Sequence, residues 1–302
     1  MAAICFFLMA SSIGTAQGGY FGYGDEWIYD VSMGFDGMTM SGTVRYYYAG
    51  ETTRTSFGEA YDVYDIQSMG SLAVSGSSAG VTLYGTTTME ESACYTTDTL
   101  GIVYYQYSES MEVHRTEGNV TETMVYTTSN VTTYSPPGGV GSQPLAASPG
   151  DSWTKTFTMH SEVTEYDGVS TSNYSADYSQ TITFKFLRTE TITVPAGTFK
   201  CNVVQQTDPE GVVTSWLNDK VGFEVRIVYD YNQSGTATYD LKSYWHESSG
   251  DVQKDSQFLV AGVAVAIGAA GIAVFLALRK KQRAPPTAQE QQMFSAPPPP
   301  SA

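Results

Sequence analysis

The side chains that could bind or react in this chain are aromatic, hydroxylated and acidic, and they fall in a repeating pattern. Trp27, Trp153 and Trp216, with the runs Tyr46-Tyr47-Tyr48 and Tyr104-Tyr105-x-Tyr107, could stack on sugar rings or line an apolar groove. The same rings could equally fill a core. Metal chemistry has no foothold. His114, His160 and His246 stand far apart, and there is no Cys-x-x-Cys. The acidic turns Asp25-Glu26 and Asp208-Pro209-Glu210-Gly211 lack the alternating oxygen-ligand spacing of a calcium loop. No Gly-x-Ser-x-Gly elbow and no phosphate-cradling glycine loop occurs, and nothing marks a particular pair of carboxylates for sugar hydrolysis. The sequence therefore predicts no catalytic residue, no metal and no cofactor.

Covalent features are few. Cys94 and Cys201 are the two cysteines beyond the leader, and an oxidising exterior would permit a disulfide between them; two buried free thiols are the alternative. Four sequons, at Asn119, Asn130, Asn173 and Asn232, are candidates for N-glycosylation.

The elements that must position these groups are strands. From Gly24 the apolar period is two. Trp27, Tyr29, Val31 and Met33 share one face, and Asp36-Gly37 then supplies a tight turn. Similar alternation appears near 38–48, 61–69, 81–89, 101–111 and 121–134. Ser135–Gly150 is dense in Pro, Gly and Ser and reads as a linker or long loop. Beyond it, Trp153, Phe157 and Met159 share a face, as do Ile182, Phe184 and Phe186, then Phe223, Val225, Ile227 and Tyr229, and last Ala237, Tyr239, Leu241 and Trp245. One apolar and one polar face argue antiparallel sheet.

The two halves echo each other. Gly24-Asp25-Glu26-Trp27 recurs as Gly150-Asp151-Ser152-Trp153, Asp36-Gly37 as Asp167-Gly168, and Tyr95-x-x-Asp98-x-Leu100-Gly101 as Trp216-x-x-Asp219-x-Val221-Gly222. Three echoes in one order imply an internal duplication, with β units over 18–138 and 148–248. The run Thr191–Val204, with Trp216-Leu217 and Val221-Gly222, resembles a family of uncharacterised exported β-domains carrying a T-P-A-G-T-F turn. That family is similar to the lipoprotein-carrier fold, a curved antiparallel sheet like half a barrel. The resemblance covers mainly residues 150–246. It implies that Pro195 and Gly197 make a turn and that Trp216 packs the concave side. The first half departs from it, with Ser56-Phe57-Gly58 where the Pro-Ala-Gly turn would lie. The expected fold class is all-β: two tandem curved antiparallel sheets, each half-barrel-like, plus one C-terminal transmembrane helix.

That helix is Phe258–Leu278, an uncharged stretch long enough to cross a bilayer core of about 30 Å. Arg279-Lys280-Lys281-Gln282-Arg283 follows and holds the C-terminal end in the cytoplasm. Residues 1–16 read as a signal peptide, 249–257 as a stalk and 279–302 as a disordered Pro-rich tail. The chain has 15 basic and 31 acidic residues; the tail takes four basic and one acidic, leaving 11 and 30 outside, a net charge of −19. So acidic an exterior excludes nucleic acid and anionic lipid as partners and suits cations or high external salt. The reading is a single-pass cell-surface protein, a ligand-binding or envelope-structural module without catalysis. Its expected partners are the membrane, an apolar or glycan ligand and neighbouring surface proteins. The alternatives are an extracellular hydrolase acting on glycans or esters, and a sensor or assembly factor acting through the Pro-rich tail.

Overall fold

The computed structural model describes residues 21–246 apart from 36, 79–80, 139–147, 210, 219 and 233–234, together with residues 9–10 and 261–262. The last two pairs form β1 (Met9–Ala10) and β14 (Ala261–Gly262), which pair antiparallel with each other. Ala261 and Gly262 are thus extended where a helix is expected, because they pair with the leader segment. The rest of the expected leader, stalk, transmembrane span and tail lies outside the described residues. Among the described residues no helix is long and apolar enough to cross a membrane.

Twelve strands form one closed antiparallel barrel. The first six are β2 (Glu26–Phe35), β3 (Met38–Ser56), β4 (Glu59–Ser78), β5 (Val81–Thr96), β6 (Ile102–Glu117) and β7 (Val120–Gly138). The second six are β8 (Ser152–Tyr166), β9 (Thr171–Val194), β10 (Gly197–Asp208), β11 (Gly211–Asn218), β12 (Phe223–Asp230) and β13 (Thr236–Trp245). Each strand pairs with its chain neighbours, and β13 pairs with β2 to close the ring. This corrects the expectation of two tandem open sheets. Each half would leave two unpaired edges, and β7 on β8 with β13 on β2 satisfies all four. The segment expected to be a linker begins later than its composition suggests, since β7 runs on through Pro136 and Pro137 to Gly138.

The alternation read from sequence sets which side chains go in. On β2, Trp27, Tyr29, Val31, Met33 and Phe35 are all buried. They join one continuous cluster of buried or half-buried residues to which every strand from β2 to β13 contributes. The outer wall is polar: Thr39, Ser41, Thr43 and Arg45 on β3, and Thr82, Thr86, Thr88 and Glu90 on β5, face away from it and are exposed. These rows lack the continuous apolar band of a barrel embedded in lipid.

Bulges correct the strand phase. On β13 the register slips between Leu241 and Ser243. One extra residue inverts every later side chain. Trp245, expected beside Leu241 on the apolar face, is therefore 65% exposed.

The first of the three echoes corresponds to equal local geometry. Gly24 and Gly150 have φ of 99° and 103°. Asp25 N–H donates to Gly22 O at 3.0 Å and Asp151 N–H to Ser148 O at 2.9 Å. The Asp25 carboxylate accepts from Gly22 N–H, and the Asp151 carboxylate from Ser148 N–H. Asp25 O then accepts from Tyr48 N–H, and Asp151 O from Phe186 N–H. The β3–β4 and β9–β10 hairpins both close with two-residue turns, Phe57-Gly58 and Pro195-Ala196. Phe57 and Gly58 have positive φ, whereas Pro195 fixes its turn through its ring. The same hairpin is built with different turn chemistry.

Candidate functional site

Strand register places two polar rows on the outer wall of β3 to β6. Tyr47, Gln67, Ser92 and Gln106 lie opposite one another in sequence across the four strands. Met69, Glu90 and Ser108 form the adjacent row. Together with Ser68 and Glu91 of the intervening positions they line a depression of about 300 Å³. Because side chains alternate, consecutive residues of the same strands point inward. Directly behind the first row runs the inward row Tyr46, Ser68, Glu91 and Tyr107.

The outer groups are held in place by hydrogen bonds. Tyr47 OH donates to Gln67 Oε1 at 2.8 Å, and Gln67 Nε2 donates to Asp65 Oδ2 at 3.0 Å. Ser92 Oγ donates to Asp65 Oδ1 at 2.8 Å. Tyr104 OH donates to Gln106 Oε1 at 2.9 Å, which fixes that amide with its NH₂ free to donate. The Arg45 guanidinium lies 5.4 Å from the Tyr47 ring centre and is ion-paired to Glu26. Glu90 and Met69 are exposed beside this network. A ring face, an oriented amide, hydroxyls and one carboxylate make a wall that suits a ligand with many hydroxyl groups.

The inner row is electrostatically different. Burial pushes the Glu91 carboxyl up to about 8, opposed by the nearby Ser68 and Tyr105 hydroxyls. Ser68 Oγ does not reach it in hydrogen-bonding geometry, and Glu91 Oε1 has no partner. Burial likewise raises Glu109 to about 7, opposed by hydrogen bonds from Thr87 Oγ1 at 2.6 Å and Tyr107 OH at 2.8 Å.

The residues singled out in the sequence are not brought to one place. Trp27 is fully buried; its Nε1–H donates to Val221 O at 2.8 Å and its ring stacks on Phe223 with centres 4.6 Å apart. Trp153 is half-buried against the core and stacks on Phe184. Trp216 is half-buried at the β11–β12 bulge, packs against the main core and donates to Glu190. Cys94 and Cys201 are both buried free thiols. Cys94 packs with Val63 and Val103, while Cys201 belongs to the main core, with four strands between them by the shorter way round the ring. Of the two alternatives, a bridge or two buried free thiols, the structure has the thiols. Of the sequon residues, Asn119 lies exposed in the β6–β7 turn and Asn232 in the β12–β13 turn with φ of 58°. Asn173 accepts from Thr164 Oγ1, and Asn130 from Thr132 and Ser161. Each histidine has its own acidic neighbour: His114 Glu112, His160 Asp177 and Glu162, and His246 the buried Asp25. No cluster of three metal-binding side chains occurs among the described residues.

Sequence reasoning missed Gln67, Glu90, Gln106, Glu91 and Glu109. The inner pair had a signal: Glu91 stands in phase with Met89, Ala93 and Tyr95, and Glu109 in phase with Tyr107, Met111 and Val113. The outer set had none, because polar residues on a polar face are the ordinary state of a strand.

The fold and site together define an antiparallel β-barrel with a side-chain core and a polar outer wall. No protein-family model matches the chain, and no curated protein does. Among solved structures, the chain is similar to the crystal structure of a putative lipoprotein from Parabacteroides distasonis. The two are 17% identical, the match covers 76% of this chain and all of the other, and the TM-score is 0.25. A likeness of that degree carries no argument about fold or function.

Proposed function

We propose that this chain is a membrane-anchored cell-surface barrel that holds a glycan against its outer wall without turning it over. The observation that carries the reading is the depression on β3 to β6, where the Tyr47 ring, the Gln106 amide, Ser108 and Glu90 converge beside a fixed hydrogen-bond network. Sugars are bound by ring stacking together with amide and carboxylate hydrogen bonds, which is the chemistry gathered there. The non-catalytic reading rests on strand phase. Glycoside hydrolysis needs two carboxylates converging on one bond. Glu90 and Glu91, adjacent in sequence, project to opposite sides of the wall. The anchor is Phe258–Leu278 with the basic cluster after it. The barrel itself arises in this reading from duplication of a six-strand unit, supported by the matching turns at Asp25 and Asp151.

The test is a glycan array probed with the full-length chain in detergent, alongside Tyr47→Ala, Glu90→Ala and Gln106→Ala. Retention of one glycan class by the wild type, lost in the variants at unchanged melting temperature, is expected. No retained glycan, or retention unaffected by all three substitutions, would overturn the reading. Release of sugar during incubation would replace it with the hydrolase.

A further inference from the structure

The interior of the barrel carries acid without base. Asp25, Glu91, Glu109 and Glu224 are buried, and no lysine or arginine is among the buried residues described. Asp25 is matched by His246, and Glu109 by Thr87 and Tyr107. Glu91 is left differently. It is 6% exposed, and its Oε1 has no partner. On its β4 side two hydroxyls of the row are also unsatisfied, Ser68 Oγ at 3% exposure and Tyr46 OH at 1%, while Tyr107 on its β6 side donates to Glu109. Register sets these three side by side, Tyr46 against Ser68 and Ser68 against Glu91, all on the inward face. Tyr239 OH, on the same inward side of β13, is unsatisfied too, and its phenol interacts electrostatically with Glu91.

Unpaired oxygens of this kind are costly in a low-dielectric interior, and several in one row call for a common partner. One carboxylate among neutral hydroxyls supplies one negative charge and hard oxygen donors. Such a set lacks the nitrogen or sulfur that transition metals select and the several carboxylates that calcium needs.

We propose that the inward row Tyr46–Ser68–Glu91 binds a small monovalent cation inside the barrel, sodium or potassium, with the Glu91 carboxylate balancing its charge. The cation satisfies the orphaned oxygens and ties β3, β4 and β5 together behind the outer depression. Ser68 and Glu91 also border the depression, and the proposal rests on their buried oxygens rather than on a ligand held there.

The experiment is thermal unfolding of the full-length chain in detergent at alkaline pH and fixed ionic strength, with N-methylglucamine chloride replaced stepwise by sodium or potassium chloride. The midpoint should rise with the small cation in a saturable way. Glu91→Gln should weaken the apparent affinity roughly tenfold or more, the scale of losing a charged hydrogen-bonding partner. Tyr46→Phe and Ser68→Ala remove one oxygen each and test the site if Glu91→Gln does not fold. Sodium-23 relaxation in the wild type gives a readout that does not depend on stability. An equal midpoint in all three salts would overturn the proposal, because only ordered water would then fill the row. So would a sodium-dependent shift that persists undiminished in the variants.

Discussion

Raising the pH from 5.5 to 8.5 should destabilise the barrel, and the two buried glutamates set the size of the effect. Glu91 is raised from 4.5 to about 8 and Glu109 from 4.5 to about 7, burial being the main cause in both. A carboxyl whose folded value is raised binds more protons in the native than in the unfolded state between those two values. Its contribution is therefore full below the unfolded value and is lost as pH rises through the folded one. Over this range the linkage integral gives about 3 kcal/mol for Glu91 and about 2 kcal/mol for Glu109. His160, raised by Asp177 and Glu162, acts in the same direction but is exposed, so its share is small. Urea unfolding followed by tryptophan fluorescence, in N-methylglucamine buffers so that no small cation competes, measures the sum. Glu91→Gln and Glu109→Gln together should flatten the dependence. Equal wild-type stability at both pH values, or a slope that survives in the double variant, would refute the assignment of these two groups.

Three further outcomes follow from the packing. Trp27→Ala should cost about 3–5 kcal/mol, since it empties a fully buried site and removes the bond to Val221, whereas Trp245→Ala should change urea stability by about 0.5 kcal/mol or less. Gly42→Ala should destabilise by more than about 1 kcal/mol, because a Cβ there would meet Ser71 O at 2.1 Å; a variant melting with the wild type would contradict the register of β3 on β4. Cys94 and Cys201 should resist alkylation in the native protein and both react in urea without reductant, since both are buried thiols and burial also pushes Cys94 up to about 11; a mass showing a disulfide would contradict their separation.

The inward phase of β2 and β12 was legible residue by residue. Trp27, Tyr29, Val31 and Met33, and Phe223, Val225, Ile227 and Tyr229, are all buried as their alternation requires. The tyrosine runs put rings on both faces, with Tyr105 and Tyr107 inside and Tyr104 outside. Trp245 was not legible, because a bulge inserts one residue without leaving a mark in composition. The candidate site was legible only in part. Glu91 and Glu109 stand in the apolar phase of their strands, but nothing in the sequence brings the β3, β4, β5 and β6 rows into register.

By itself the sequence determined the all-β class, the apolar and polar faces of most strands, the turns at Gly37 and at Asp167-Gly168, and the likeness of the two halves. Those properties are local: period two, turn chemistry and side-chain polarity act over a few residues. Only the tertiary structure decided that the halves share one ring, that Cys94 and Cys201 are separate buried thiols, and that Tyr46, Ser68 and Glu91 fall in one inward row. These depend on pairing strands far apart in the chain, as β13 does with β2. Such pairing is governed by the need to satisfy edge hydrogen bonds and bury whole faces at once, a condition no short stretch of residues carries.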